Sequence, residues 1–167
     1  SYQLDTGVTY DQEKLQKKLK SLNCFQEENI TAPQDASIQE TDAGFEIVPE
    51  VLGNQLDEER TYEAVQKAVE NQEQELNLEE AGCYMEPAVY QDDKTLKKHL
   101  KQMNKLTDVV ITYDFADRTE TVDKDVIKNW LVLDKKGNYT LDEAKVAEYV
   151  NQLGYDYDTF GCTREFV

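Results

Sequence analysis

Histidine is almost absent from this chain, and its scarcity removes most of the common catalytic sites. The only histidine is His99, and the sequence contains no Gly-x-Ser-x-Gly motif. A serine or cysteine nucleophile needs a base to take its proton, and histidine is the usual one. His99 follows Leu96 by three residues and precedes Met103 by four, which places it at the edge of a helical apolar stripe. We therefore expect a structural role for His99 and no catalytic residue in this chain.

Cysteine is also scarce, with only Cys24, Cys83 and Cys162 in 167 residues. No two of them form a Cys-x-x-Cys motif, and with one histidine a zinc site is excluded. Three unpaired thiols are the favoured interpretation, although one disulfide among the three pairings stays open. The sequence also lacks a glycine-rich phosphate loop. We expect no metal and no cofactor.

Positive charge is in short supply, since 18 basic side chains face 35 acidic ones, for a formal net charge of −17. Binding to nucleic acid or to an anionic membrane requires a cationic surface that displaces counterions, so neither partner is expected. No apolar run approaches the roughly 20 residues of a membrane span. The chain opens on Ser1 without an initiator methionine or a signal peptide. We expect an excised piece, with any anchor upstream.

Amphipathic helices are predicted from the spacing of apolar residues and from residues that favour helix starts. The predicted helices cover 11–22, 57–71, 92 or 93 to 105, a short segment from 123, and 141–153. Capping-box pairs are predicted at Thr9 and Gln12 and at Thr140 and Glu143. Gly154 is predicted to end the last helix. The buried face of the second helix is predicted from Tyr62, Val65 and Val69.

Short strands are predicted where apolar and polar residues alternate beside turn residues. They cover 36–40 paired with 45–48, 75–78, 84–89, 109–115 paired with 119–121, and 131–133 paired with 138–139. Strands and helices do not alternate regularly, so a doubly wound parallel sheet is not expected. The predicted fold class is α+β, with short mixed or antiparallel strands packed with several amphipathic helices.

Two stretches of the sequence together resemble a known family. The first runs from Asn29-Ile-Thr-Ala-Pro-Gln-Asp-Ala36 through Phe45-Glu-Ile-Val-Pro-Glu-Val-Leu-Gly53 to Leu56-Asp57. The second runs from Asp125-Val-Ile-Lys-Asn-Trp130 through Thr140-Leu-Asp142 and Tyr157-Asp-Thr-Phe-Gly161 to Arg164-Glu-Phe166. They resemble the peptidoglycan-binding domain that precedes the catalytic domain of bacterial L,D-transpeptidases and also occurs in accessory proteins of vancomycin resistance.

The resemblance implies a domain organisation and a location. Residues 28–167 would form the pre-catalytic domain, either as one body or as two lobes at 28–106 and 107–167. Residues 1–27 would end a preceding segment. The parent protein would be extracellular and Gram-positive, anchored by an upstream transmembrane helix. Its catalytic domain, with its own cysteine and histidine, would begin just after Val167. Gly161-Cys162-Thr163 does not match the family's nucleophile motif, so Cys162 receives no catalytic role.

The resemblance implies peptidoglycan as the partner, together with the catalytic domain of the same chain, but it assigns no binding residue. An alternative is a spacer or docking scaffold without direct wall binding. In that case Tyr155-Asp-Tyr-Asp-Thr-Phe160 would contact the catalytic domain. An independent hydrolase is not supported, because the base and the Gly-x-Ser-x-Gly motif that a nucleophile would need are absent. Pairs of carboxylates give no support either, since chance pairs are certain among 35 acidic residues.

One cationic cluster stands out in this acidic chain. Its members lie on the predicted third helix and are Lys94, Lys97, Lys98, Lys101 and Lys105. They would either contact carboxylates of a wall polymer or form a solvated face opposite Leu96 and Leu100. The sequence favours the solvated face and leaves the other interpretation open.

Overall fold

The computed structural model describes residues 10–115 and 118–157. Its helices are α1 (Gln12–Lys20), α2 (Glu58–Glu70), α3 (Lys94–Thr107), α4 (Lys124–Ile127) and α5 (Glu143–Tyr157). Its strands are β1 (Ser37–Thr41), β2 (Gly44–Val48), β3 (Ile111–Asp114), β4 (Thr119–Val122), β5 (Leu131–Leu133) and β6 (Tyr139–Leu141). Consecutive strands pair into three two-stranded antiparallel sheets. The predicted α+β class is confirmed.

Contacts within the chain divide it into two compact units. Unit 1 contains Ser1–Ser37 and Pro49–Gln91, and unit 2 contains Ile38–Val48 and Asp92–Val167. The hairpin of β1 and β2 therefore belongs largely to unit 2, although it interrupts unit 1 in the sequence. Each unit is described by itself below.

In unit 1 the two helices begin at aspartate caps. The Asp11 carboxylate accepts a hydrogen bond from the Lys14 amide at 3.1 Å, and that of Asp57 accepts from the Arg60 amide at 2.9 Å. These bonds satisfy amides that the first helical turn leaves without a partner. Asp57 therefore caps the helix predicted from residue 57, and Asp11 caps α1. Of the pair predicted at Thr9 and Gln12, Thr9 lies outside the described residues.

The buried face of α2 differs from the predicted one. Thr61 and Ala68 are the buried residues of the helix, while Tyr62, Val65 and Val69 are half-buried. The rest of the small core of unit 1 comes from outside the helices, at Ala36, Leu56 and Cys83. The face is rotated because the buried side chain of Cys83 packs there, and its thiol lies 3.8 Å from the Arg60 carbonyl oxygen.

The hydroxyl of Thr61 is buried without a hydrogen-bond partner, although Thr61 is only 1% exposed. A buried polar atom without a partner is costly, and an apolar group of the same shape removes that cost. We expect Thr61→Val to leave the free energy of unfolding unchanged or to raise it by about 1 kcal/mol. Urea denaturation followed by circular dichroism measures this. A loss of more than about 1 kcal/mol would show that the hydroxyl has a stabilising partner.

Two predicted strands of unit 1 are wrong. Residues 75–78 form no strand, because Asn77 instead organises a turn: its side-chain oxygen accepts from the Glu79 amide at 3.0 Å. Such side-chain bonds to nearby amides compete with strand pairing. In segment 84–89 only Tyr84 pairs, through an isolated antiparallel bridge to Leu56.

In unit 2 the side chain of Asn104 on α3 fixes the β1–β2 hairpin. Its amide oxygen accepts from the Phe45 amide at 2.9 Å, and its NH₂ group donates to the Phe45 carbonyl at 2.9 Å. Both hydrogen-bonding groups of one strand residue are thereby satisfied at a sheet edge. Asp93 caps α3 by accepting from the Leu96 amide at 2.8 Å, which agrees with the predicted helix start.

The apolar core of unit 2 is centred on Val122, Ile127 and Trp130. The Trp130 ring meets the Tyr149 ring edge to face at 5.2 Å between centroids. Val122 and Ile127 flank the Asp123 cap of α4, in the staple arrangement expected at a helix start. The strand predicted over 109–115 is shorter than expected, since β3 covers only Ile111–Asp114.

The last helix begins and ends differently from the prediction. Asp142 supplies the cap, accepting from the Ala144 amide at 3.0 Å, so the predicted box of Thr140 and Glu143 is wrong. The helix also continues through Gly154 to Tyr157. Glycine inside a helix costs only about 1 kcal/mol relative to alanine. Tyr157 offsets this cost because its ring stacks on Phe115, with centroids 4.2 Å apart.

Candidate functional site

Unit 1 contains an open cleft of about 550 Å³ with two tyrosines in its wall. We call it the tyrosine cleft. It is lined by Leu52, Gly53, Asn54, Glu79, Gly82, Tyr84, Met85, Glu86, Pro87 and Tyr90. Two chain segments form it, 52–54 and 79–90, and hydrogen bonds to a third segment around residues 29–36 position both.

The first wall is held by Asn54, whose side chain makes two hydrogen bonds to the backbone. Its oxygen accepts from the Thr31 amide at 2.7 Å, and its NH₂ group donates to the Asn29 carbonyl at 2.9 Å. The Asn54 amide also donates to the Thr31 carbonyl at 2.9 Å. Gly53 lies against the same backbone with a φ of +68°. The two parts of the first family-like stretch are therefore in direct contact.

The second wall is held by Asp35. One oxygen of its carboxylate accepts from the Ala88 amide at 2.6 Å and from the Val89 amide at 3.1 Å. The Ala36 amide donates to the Val89 carbonyl at 2.9 Å. Carboxylates that accept backbone hydrogen bonds hold turns firmly, because such charge-assisted bonds are about twice as strong as neutral ones.

Backbone pairing joins the two walls. The Met85 amide donates to the Gln55 carbonyl at 2.8 Å, and the Asp57 amide donates to the Cys83 carbonyl at 2.8 Å. At the other end of the cleft the Glu50 carboxylate accepts from the Gln91 amide at 2.7 Å. The backbone of the cleft is thus fixed from several sides, which leaves its outward side chains free to contact a partner.

The exposed surface of the cleft combines apolar groups with carboxylates. Leu52 is 60% exposed, Met85 41% and Tyr84 37%. Partial burial and the charges of Glu86 and Glu50 raise the pKa of Tyr90, so its phenol stays a hydrogen-bond donor at neutral pH. The lining residues include no histidine, cysteine, serine or lysine. The cleft can therefore stack and hydrogen-bond, but it carries no nucleophile with a base.

A smaller groove of about 240 Å³ lies where α1 and α2 meet. Its apolar lining is Leu19, Phe25 and Tyr62, and an ion pair of 3.2 Å joins Lys20 to Glu58 there. The groove is the gap that remains where the side chains of two helices pack together. Its volume is less than half that of the tyrosine cleft.

Among the described residues, none of the others singled out in the sequence belongs to the lining of the tyrosine cleft. His99 donates from Nε2 to the Gly137 carbonyl at 3.0 Å and meets the Tyr139 ring edge to face, so it holds the turn between β5 and β6. Cys24 is an exposed free thiol and Cys83 a buried one. Cys162 lies outside the described residues.

Two further kinds of site were considered, a metal site and a membrane-spanning helix. Within residues 10–115 and 118–157, no three His, Cys, Asp or Glu side chains lie close enough together to hold a metal ion. Over the same part of the chain, no helix is both long enough and apolar enough to cross a membrane.

Sequence reasoning did not identify the tyrosine cleft. Tyr84 begins a segment interpreted as a strand and Tyr90 follows its end, so the pattern gave no reason to place their rings on one surface. The sequence did contain one indication of the cleft: Asn29-Ile-Thr31 and Gly53-Asn54 both occur in the first family-like stretch. Their contacts became visible only in the structure.

Comparison with known families gives one match, and it falls mainly on unit 1. Residues 2–77 match the family described as "Putative peptidoglycan binding domain". The match covers less than half of the 167 residues, and residues 78–167 lie outside it. No curated protein and no solved structure matches the chain. The match supports a peptidoglycan-binding role for the region that it covers.

Proposed function

We propose that this chain is a non-catalytic cell-wall module that binds peptidoglycan in the tyrosine cleft. The observation that carries the proposal is the lining of the cleft, where exposed Leu52, Tyr84 and Met85 lie beside carboxylates. The segment 52–54 of this lining falls inside the region that matches the family, and Asn29, Thr31 and Asp35, which position the cleft, fall there too.

The chemistry of the cleft suits both components of the polymer. Aromatic rings offer a flat apolar surface to the C–H faces of sugars, and the tyrosine hydroxyls hydrogen-bond at the rim. Glu79 and Glu86 attract the amines of stem peptides. Exposed ion pairs contribute only about 0–1 kcal/mol each, so a single contact is weak. Tight retention would come from the many repeats of the wall polymer, which raise the effective concentration.

The finer proposal is that the module positions the wall for an L,D-transpeptidase domain of the same chain. The resemblance of the second stretch, from Asp125 to Phe166, to the end of a pre-catalytic domain supports it. On this proposal the parent is an extracellular Gram-positive protein anchored by an upstream transmembrane helix. The division into 1–27 and 28–167 is part of the same proposal.

Removing the two rings of the tyrosine cleft tests the binding site. We expect the double variant Tyr84→Ala with Tyr90→Ala to bind purified sacculi about tenfold more weakly, since losing two ring contacts removes roughly 1–2 kcal/mol. The backbone bridge of Tyr84 to Leu56 remains available to alanine. Co-sedimentation with sacculi over a range of protein concentrations measures the affinity.

Tyr155 supplies the matched control for this experiment. It is 81% exposed and belongs to unit 2, so Tyr155→Ala removes a tyrosine ring without touching the tyrosine cleft. We expect its binding to equal that of the unmodified chain. Equal binding by the cleft variant, with an unchanged circular dichroism spectrum, would mean that the cleft is not the binding site.

The scaffold alternative is favoured by one observation, the two large apolar or aromatic side chains that α5 exposes. Val150 is 48% exposed and Tyr155 81%, which suits contact with a neighbouring domain. The end of the proposed contact segment, residues 158–160, lies outside the described residues. Transpeptidation by the parent enzyme with and without this module separates the two functions. A loss on a soluble muropeptide indicates docking, whereas a loss only on intact wall indicates recognition.

A further inference from the structure

Five lysines form a straight cationic stripe on α3. Lys94, Lys97, Lys98, Lys101 and Lys105 are all exposed, and their spacing of three, one, three and four residues keeps them on one side of the helix. At 1.5 Å per residue the stripe extends for about 16 Å. The opposite side of the helix carries the residues that pack, including buried Met103 and Thr107.

No ion pair neutralises this stripe in the described part of the chain. Helix α3 contains neither aspartate nor glutamate, and none of its lysines takes part in an ion pair there. The nearest carboxylates in sequence are Asp93, which caps the helix start, and Asp108, which follows its end. The stripe is therefore a concentrated positive surface on a chain of net charge −17.

Two more lysines lie beside the stripe in the fold, although they are about 30 residues away from α3 in the sequence. Lys135 and Lys136 are exposed in the turn between β5 and β6. That turn lies against α3, because His99 bonds to the Gly137 carbonyl and the Gln102 side-chain oxygen accepts from the Tyr139 amide at 3.1 Å. The seven lysines, Lys94, Lys97, Lys98, Lys101, Lys105, Lys135 and Lys136, are called the lysine face.

One carboxylate lies at the edge of the lysine face, and its hydrogen bonds are already used. Asp134 accepts from the backbone amides of Lys136 and Asn138 at 2.8 Å each. The bond from Asn138 is the main cause of the lowered pKa of Asp134, and the positive charge of Lys98 lowers it further. Asp134 thus organises the turn that presents Lys135 and Lys136.

We propose that the lysine face binds a linear phosphodiester polymer of the cell wall, of the polyol phosphate type. A cationic surface favours a polyanion as its ligand. Because the stripe is narrow and the rest of the protein is acidic, the ligand has to be a thin chain that contacts the stripe alone. The face contains lysine and no arginine. Lysine contacts phosphate as a point charge, so a flexible phosphodiester chain can follow the stripe without a fixed geometry at each contact.

This inference rests on the proposed function only in placing the chain at the wall, and the ligand and the surface are different. The probes are sacculi that retain their phosphodiester polymers and the same sacculi after hydrofluoric acid, which cleaves phosphodiester bonds. The variant carries Lys97→Gln, Lys98→Gln and Lys101→Gln. The control carries Lys14→Gln, Lys17→Gln and Lys18→Gln, an equal charge change on exposed residues of α1.

We expect the unmodified chain and the α1 control to bind untreated sacculi at least about tenfold more tightly than stripped sacculi at low salt. That difference should shrink as salt rises, because counterion release drives the binding. The α3 variant should lose the difference and still bind stripped sacculi through the tyrosine cleft. If none of the proteins binds stripped sacculi, while binding to untreated sacculi still depends on the lysines, the tyrosine cleft is not a peptidoglycan site. The proposal for the lysine face would stand in that case.

Three outcomes would overturn the proposal. The first is equal binding of the unmodified chain to both preparations. The second is an equal loss in the α1 control, which would indicate net charge and no defined surface. The third is concentration-dependent self-association in sedimentation equilibrium that the α3 variant abolishes, which would assign the lysine face to the acidic surface of a second copy.

Discussion

Replacing Gly53 with alanine is expected to destabilise unit 1 by about 3 kcal/mol or more, among the largest effects of any single substitution in the chain. An added Cβ would lie 2.3 Å from the Thr31 carbonyl oxygen and 2.9 Å from the Ala32 carbonyl carbon and from the Pro33 nitrogen. These neighbours are backbone atoms, so no flexible side chain can move aside. The φ of +68° adds the strain of a left-handed conformation, roughly 1–2 kcal/mol for a residue with a Cβ.

Gly82 is the matched control for Gly53, because it separates backbone strain from steric overlap. Its φ is +65°, and nothing lies within 4 Å of an added Cβ. We expect Gly82→Ala to cost only about 1 kcal/mol, the strain alone. Thermal and urea unfolding by circular dichroism measures both variants. Equal losses for the two variants would contradict the close approach of Gly53 to residues 31–33.

Replacing Trp130 with alanine is expected to lower the stability of unit 2 by about 3–5 kcal/mol. Trp130 is 9% exposed and packs with Val122 and Ile127 in the core of this unit. The substitution would leave a cavity and remove the edge-to-face contact with Tyr149. Its backbone carbonyl also accepts from the Asp142 amide at 2.7 Å, a bond that alanine keeps.

The measurement for Trp130→Ala is urea denaturation by circular dichroism, with Tyr155→Ala as the control. Tyr155 is 81% exposed, so its removal should change stability by less than about 0.5 kcal/mol. Trp130 is the only tryptophan, so its fluorescence in the unmodified chain reports on unit 2 directly. A loss below about 1 kcal/mol for Trp130→Ala would contradict its place in the core.

The helices were predictable because their signals are local. Asp57 and Asp93 each lie just before an apolar-periodic segment, and the side chain of each bonds to the third amide of its helix. Such caps depend on residues three apart in the chain. The continuation of α5 through Gly154 was not predictable, because the contacts of Tyr157 with Phe115 and with the Glu120 carboxylate lie outside the sequence pattern.

The tyrosine cleft could not be predicted from local patterns for the same physical reason. The Asp35 carboxylate accepts hydrogen bonds from the amides of Ala88 and Val89, which lie more than 50 positions further along the chain. These bonds hold a segment with a strand-like sequence in a loop conformation. Only the part of the lysine face on α3 could be predicted from the sequence. Helical spacing identified the stripe on α3, but only the contacts of His99 and Gln102 with the β5–β6 turn bring Lys135 and Lys136 beside it.

The most direct test of the central claim, that the tyrosine cleft binds peptidoglycan, is a nuclear magnetic resonance titration of the whole chain with a soluble disaccharide-peptide fragment of peptidoglycan. The account predicts that the amide signals of Leu52, Tyr84, Met85 and Tyr90 shift in a saturable way, while those of Trp130 and Val150 stay in place. Shifts confined to unit 2, or no shifts at millimolar fragment, would contradict it.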